Sequence, residues 1–213
     1  VERWRFDLGA APQAGPVVGA DGFIAVPLAA DDDTSVVALV RPDKRLAGTY
    51  AVDGRIVGGL TAAADRAFYG TTTTGRVFRL NAFSLSLNCM SGGSIIVAGC
   101  ISYSTPASTA YTTPPLLYAG SMFAGRSDGT VVQMNATTFA LQTSFTAPSA
   151  ITSGPTAGPG GQILVGTANG TLFSLSLGLT VHWQVNLGAS VRSIPAASAD
   201  AIATALLSHR SGT

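Results

Sequence analysis

Gly129-Thr-Val-Val-Gln-Met134 and Gly170-Thr-Leu-Phe-Ser-Leu175 decide how the chain reads, and Thr34-Ser-Val-Val-Ala-Leu39 and Gly75-Arg-Val-Phe-Arg-Leu80 share their pattern. In each, a turn residue opens a short apolar run. Their last residues lie 41, 54 and 41 positions apart, so the middle interval exceeds the others by 13. A fixed period broken by one insertion marks a repeated architecture.

The repeat extends on both sides of these runs. About a dozen residues upstream of each lies a second apolar run: Phe23-Ile-Ala-Val26, Ala67-Phe-Tyr69, Met122-Phe-Ala124 and Ile163-Leu-Val165. Before that comes a Gly- or Pro-marked start, at Gly15, Gly58, Pro114 and Gly154. Asp21-Gly22, Asp128-Gly129, Asn169-Gly170 and Gly158-Pro-Gly-Gly161 supply the positive φ that tight antiparallel hairpins need. The chain ends match as well. Trp4-Arg-Phe-Asp-Leu-Gly-Ala10 aligns with Trp183-Gln-Val-Asn-Leu-Gly-Ala189, 179 positions on, which is four repeats of about 41 plus the insertion.

Four short strands per repeat with no helical periodicity between them predict an all-β fold, a β-propeller of four-stranded antiparallel blades. A sandwich of hairpins is the other arrangement such strands can form. In each blade an inner strand A starts at the Gly or Pro mark, B and C are the two apolar runs, and D lies outermost. The expected blades are 15–52, 57–91, 113–147 and 154–187, with a partial fifth at 194–213. The inserted length, 92–104, is expected in the D-to-A crossing after the second blade. Four full repeats and part of a fifth suggest part of a larger ring, or a five-bladed ring whose last blade borrows the strand at Trp4. Open sheet edges would then call for further blades or self-association to cover them.

Composition excludes several function classes. Of 213 residues only 11% are charged, with 12 Lys and Arg against 11 Asp and Glu and a net charge of +1, so no basic surface for nucleic acid is expected. No apolar stretch approaches the roughly 20 residues that cross a bilayer as a helix. Cys89 and Cys100 stand eleven positions apart in a Gly- and Ser-rich stretch. A local disulfide is the first reading and two inert thiols the second; neither His182 nor His209 is near enough in sequence to suggest a metal site. A disulfide would place the protein outside the cytoplasm.

The order of Trp4, Leu8-Gly9, Pro16-Val17-Val18, Asp21-Gly22 and Val36-Val37-Ala38-Leu39 resembles the repeat of the pyrroloquinoline-quinone-type, or quinoprotein-like, β-propellers. That superfamily holds alcohol dehydrogenases and non-enzymatic members such as an outer-membrane assembly lipoprotein, and this chain is closer to the latter. The family repeat follows strand C with an acidic residue and a Thr-Gly turn. Arg41-Pro-Asp-Lys-Arg45, Asn135-Ala-Thr-Thr138 and Leu177-Gly-Leu-Thr180 stand there instead. The inner-strand spans Pro16-Val17-Val18, Gly59-Leu60-Thr61, Pro115-Leu116-Leu117 and Pro155-Thr156-Ala157 carry no carboxylate or amide to hold Ca²⁺ beside a quinone. The adjacent-cysteine pair of the dehydrogenases is missing too. No cofactor, no metal and no catalysis are expected.

Propeller connectivity brings B-to-C turns and D-to-A crossings to one face. The candidate binding face therefore gathers Asp31, Asp32 and Asp33, Arg126 and Asp128, Asn169, and the apolar tip Ile95, Ile96 and Val97 of the inserted loop. Asp31-Asp32-Asp33 lacks the alternate ligand spacing and turn glycine of a Ca²⁺ loop and reads as a solvated turn. Neither histidine has Ser and Asp at a recognisable spacing. The expected function is an extracytoplasmic, non-catalytic scaffold engaging a protein or surface polymer through its loops. A piece of a quinone-dependent dehydrogenase and a structural component of a cell-surface assembly or filament are the alternatives.

Overall fold

The computed structural model describes residues 5–31, 33–81, 101–198 and 202–204. Four sheets follow one another along the chain, each with four antiparallel strands in sequence order. The first holds β1 (Val17–Val18), β2 (Ile24–Ala29), β3 (Ser35–Val40) and β4 (Leu46–Val52). The second holds β5 (Ile56–Ala62), β6 (Ala67–Thr72), β7 (Val77–Asn81) and β8 (Ile101–Tyr103). The third holds β9 (Leu116–Tyr118), β10 (Ser121–Gly125), β11 (Thr130–Asn135) and β12 (Leu141–Thr146). The fourth holds β13 (Thr156–Ala157), β14 (Ile163–Gly166), β15 (Thr171–Leu175) and β16 (Val181–Asn186), and a two-stranded sheet of β17 (Ala196–Ala197) and β18 (Ile202–Ala203) follows. These are the blades of a β-propeller.

Why the middle strands are apolar without alternation follows from how the blades stack. Successive residues of a strand point to opposite faces of the sheet, and in blades two and three both faces are covered by a neighbouring blade. Phe68 of β6 joins Leu39, Tyr50 and Val52 in the core between blades one and two, while Ala67 and Tyr69 on its other side join Met122, Ala124 and Met134. Phe123 of β10 in turn faces Ile163, Val165 and Phe173 of blade four. The outer strands β12 and β16 are largely exposed, and in β16 polar and apolar residues alternate.

A recurrent set of bonds fastens blade two to three, three to four and four to the sheet that follows. The amides of Tyr111, Ile151 and Val191 donate to the carbonyls of Thr72, Arg126 and Thr167 at 3.4, 3.2 and 3.2 Å, each one blade back. Hydroxyls reach forward: Thr112 Oγ1 donates to the Ile151 carbonyl, and Thr152 Oγ1 to that of Val191 at 2.6 Å. Close approach at this seam requires glycine. A Cβ on Gly125 would lie 2.4 Å from Ile151 Cγ2, and one on Gly166 2.4 Å from Val191 Cγ1.

The matched chain ends adopt the same turn. Gly9 and Gly188 have φ of 71° and 76°, and their amides donate to Asp7 Oδ1 and Asn186 Oδ1, both at 2.8 Å. Trp4 and His209 lie outside the described residues, and Trp183 sits on the outer strand β16 beside His182.

One expectation is corrected. The sequence reading ends the second blade at 91 and puts the insertion, 92–104, in the crossing to the third. Instead, Ile101, Ser102 and Tyr103 pair with Leu80, Arg79 and Phe78, so β8 is the outer strand and 82–100 connects strand C to strand D. The reason is packing. The Tyr103 ring lies 6.3 Å from that of Phe78, and its hydroxyl accepts the Asp53 amide at 3.3 Å, tying β8 to the first blade.

Candidate binding surfaces

The B-to-C turns all lie at one end of the blades, as the connectivity demands. Those of blades two, three and four are bonded to the crossing that enters the same blade: Thr73 to Arg55, Ser127 to Ala110 and Ala168 to Ala150, through amide-to-carbonyl bonds of 2.9–3.0 Å. Asp31, Asp33, Arg126, Asp128 and Asn169 therefore share this face. Asn81 and Ile101, between which the insertion runs, are at the opposite end, with the A-to-B and C-to-D turns. Ile95, Ile96, Val97, Cys89, Cys100 and Asp32 lie outside the described residues.

Three of the singled-out side chains are occupied in building turns. Asp31 Oδ1 accepts the amides of Thr34 at 2.7 Å and Asp33 at 3.0 Å. The Thr34 hydroxyl and these two amides hold its carboxyl below the usual carboxylate range. Asp128 accepts the Thr130 amide and the Thr109 hydroxyl, both at 2.9 Å. Burial alone would raise its carboxyl, but those donors and the nearby Arg126 outweigh it and lower it. Asn169 Oδ1 accepts the Thr167 hydroxyl at 2.6 Å. Asx turns of this kind shape the face, leaving the outward atoms of Asp33, Thr73, Thr74 and Ala168 exposed upon it. Among the described residues no group of three or more His, Cys, Asp or Glu side chains could hold a metal ion, and no helix is long and apolar enough to cross a membrane.

Sequence reading missed the junction of blades two and three, where two clefts open. The first, of about 440 Å³, lies on the opposite face between Ala62–Asp65 and Leu117–Ser121. Its wall is braced by Arg79, which bonds Asp65 at 2.8 Å and lies 6.0 Å over the Tyr69 ring. The Tyr69 hydroxyl donates to the Ala136 carbonyl at 2.9 Å, and burial raises its pKa above the ordinary phenol value. The second, of about 430 Å³, runs along the outer rim from Ser104 and Pro106 to Arg126, Phe139 and Leu141. A cue was present in the sequence. Arg126 takes the register that threonine holds in the blades on either side, at Thr72 and Thr167.

The comparisons with known proteins agree with the geometry. BamB from Moraxella catarrhalis superposes with a TM-score of 0.68 at 14% identity, covering 91% of this chain and 58% of that one. The WD40 domain of Toxoplasma gondii coronin superposes at 0.64 and 15% identity, covering 81% of this chain and 45% of that one. The chain spans about half the length of each. No protein-family model and no curated protein matches it. At these identities the likeness is one of fold, and the fold is a propeller.

Proposed function

We propose that this chain is a non-catalytic, extracytoplasmic scaffold that binds a protein or surface polymer through the face formed by its B-to-C turns and D-to-A crossings. One observation carries the reading. The seam bonds recur at blades two, three and four while the turns beside them differ in chemistry: Thr73-Thr74 in the second, Arg126 to Asp128 in the third and Ala168-Asn169 in the fourth, with Asp31 to Asp33 at the same end of the first. A stiff frame with varied turns is the arrangement of a binding platform, although fold alone assigns no chemistry. The likeness to BamB supports an extracytoplasmic place, and both propeller neighbours support protein binding as the mode.

The test is capture from cell-envelope extracts by immobilised protein. Asp33→Arg and Ala168→Arg, both exposed on the proposed face, are compared with Lys44→Glu at the other end of the blades. Loss of a captured component with the first two and its retention with the third is the expected result. Equal capture by all three variants, or capture of nothing by the parent protein, refutes the reading.

A further inference from the structure

We propose that the rim groove between blades two and three binds an extended peptide segment through the side-chain carboxylate of an acidic residue flanked by apolar ones, with Arg126 as the cation that reads it. Val131 pairs with Phe145 and Leu172 with Val185, and the Ser104 amide donates to the Val77 carbonyl, so Ser104, Phe145 and Val185 hold one register in three successive outer strands.

Blades diverge outward, so each pair leaves a wedge at the rim. Between blades three and four Phe145 fills it, its ring 5.2 Å from Phe173 in an edge contact. Between blades two and three the same position holds Ser104. Its hydroxyl turns back to the chain, accepting the Val77 amide at 2.9 Å and donating to the Thr105 carbonyl at 3.0 Å. The wedge stays open.

The open wedge also contains charge where its neighbour has none. Arg126 lines the wedge, and Arg126 and the buried Tyr111 behind it stand at the registers of Thr167 and Ile151. The guanidinium lies 5.1 Å over the Tyr111 ring and donates from one terminal nitrogen to its hydroxyl at 3.3 Å. Arg76 and Arg79 are paired with Asp53 and Asp65 at 2.7 and 2.8 Å. Among the described residues Arg126 has no salt bridge, and its Nε is buried without a hydrogen-bond partner. The neighbouring Asp128 spends its oxygens on Thr130 and Thr109.

A half-buried guanidinium held against a ring and bonded to its hydroxyl offers a fork of donors, which suits a carboxylate. Along the rest of the groove Pro106, Phe139 and Leu141 offer apolar contact, and Leu141 is 60% exposed. That pairing of one cation with an apolar wall matches an acidic side chain between apolar neighbours. Arg126 borders the loop face as well, but the wedge between Ser104, Phe139 and Leu141 lies away from Asp33 and Ala168, whose variants probe that face, so the two readings can fail separately.

The experiment titrates ¹⁵N-labelled protein with the blocked peptide Ac-Phe-Glu-Leu-NH₂ and with its Gln counterpart, following amide shifts. Saturable shifts at Ser104, Arg126, Phe139 and Leu141, at least ten-fold stronger for the Glu peptide, are expected. Arg126→Gln should bring the two peptides level, and Ser104→Phe should abolish both responses while loop-face capture persists. Thermal melts report whether each variant folds; if Ser104→Phe does not, the peptide pair and Arg126→Gln still decide. Equal affinity of the two peptides for the parent protein, shifts elsewhere, or none at millimolar peptide overturns the proposal.

Discussion

Ser104 and Phe145 stand at one register in successive blades, the first bonded to Val77 and the second paired with Val131, and only Phe145 reaches the blade beyond. Phe145→Ser should therefore open a second wedge. Loss of a half-buried ring and its aromatic contact is expected to cost about 2 kcal/mol, less than truncation of a fully buried Phe. Urea denaturation of the two proteins measures it, and an unchanged midpoint would show that Phe145 contributes no packing.

Gly125 and Ile151 are coupled across the third seam. Gly125→Ala forces a methyl to 2.4 Å from Ile151 Cγ2 and should destabilise by about 1–3 kcal/mol. Ile151→Ala also destabilises, by leaving a cavity in the core. In the double variant the new methyl enters the space vacated, so the summed cost should fall short of additivity by about 1 kcal/mol or more. Strict additivity in a double-mutant cycle would show the contact to be unimportant.

Left-handed residues in the C-to-D turns separate strain from packing. Lys44 has φ of 68° and is exposed, whereas Phe139 at 59° lies edge-on to Tyr69 with ring centroids 6.4 Å apart. Lys44→Gly relieves strain without losing contacts and should stabilise by about 0.5–1 kcal/mol. Phe139→Gly relieves the same strain but removes a packed ring, so it should destabilise. Chemical denaturation of the pair tests whether the two changes differ in sign.

The fold was legible where a residue type is needed by geometry. Gly75, Gly129 and Gly170 open the C strands with φ of 75°, 87° and 86°, and apolar runs such as Ala67-Phe68-Tyr69 mark strands buried on both faces. The inner strands were harder, since β1 and β13 are two residues long and carry no period. The outer strand of blade two escaped because the insertion shifts it and because only three residues of it pair. With β8 misplaced, the register linking Ser104 to Phe145 could not be read, and the rim groove stayed hidden. On the loop face, Asp31, Asp128 and Asn169 were found by sequence, but as turn formers their acceptors point inward to backbone and hydroxyl donors.

Acid should weaken the loop face first. The Asp128 carboxyl is held below its ordinary value in the folded protein, so its contribution is present above the unfolded pKa of about 4 and is lost as pH falls through the folded value. Asp128→Asn keeps the accepting oxygen for Thr130 without the titration. Its melting temperature should fall less steeply than the parent's below about pH 4, and parallel curves would assign the acid sensitivity elsewhere.

Amide hydrogen exchange of the protein alone, and bound to the component it captures from envelope extract, tests the binding reading most directly. Slowed exchange concentrated in 30–34, 126–129 and 168–170 and in the adjoining crossings is the predicted result. Slowing confined to the A-to-B and C-to-D turns, or exchange identical in the two states, would contradict it.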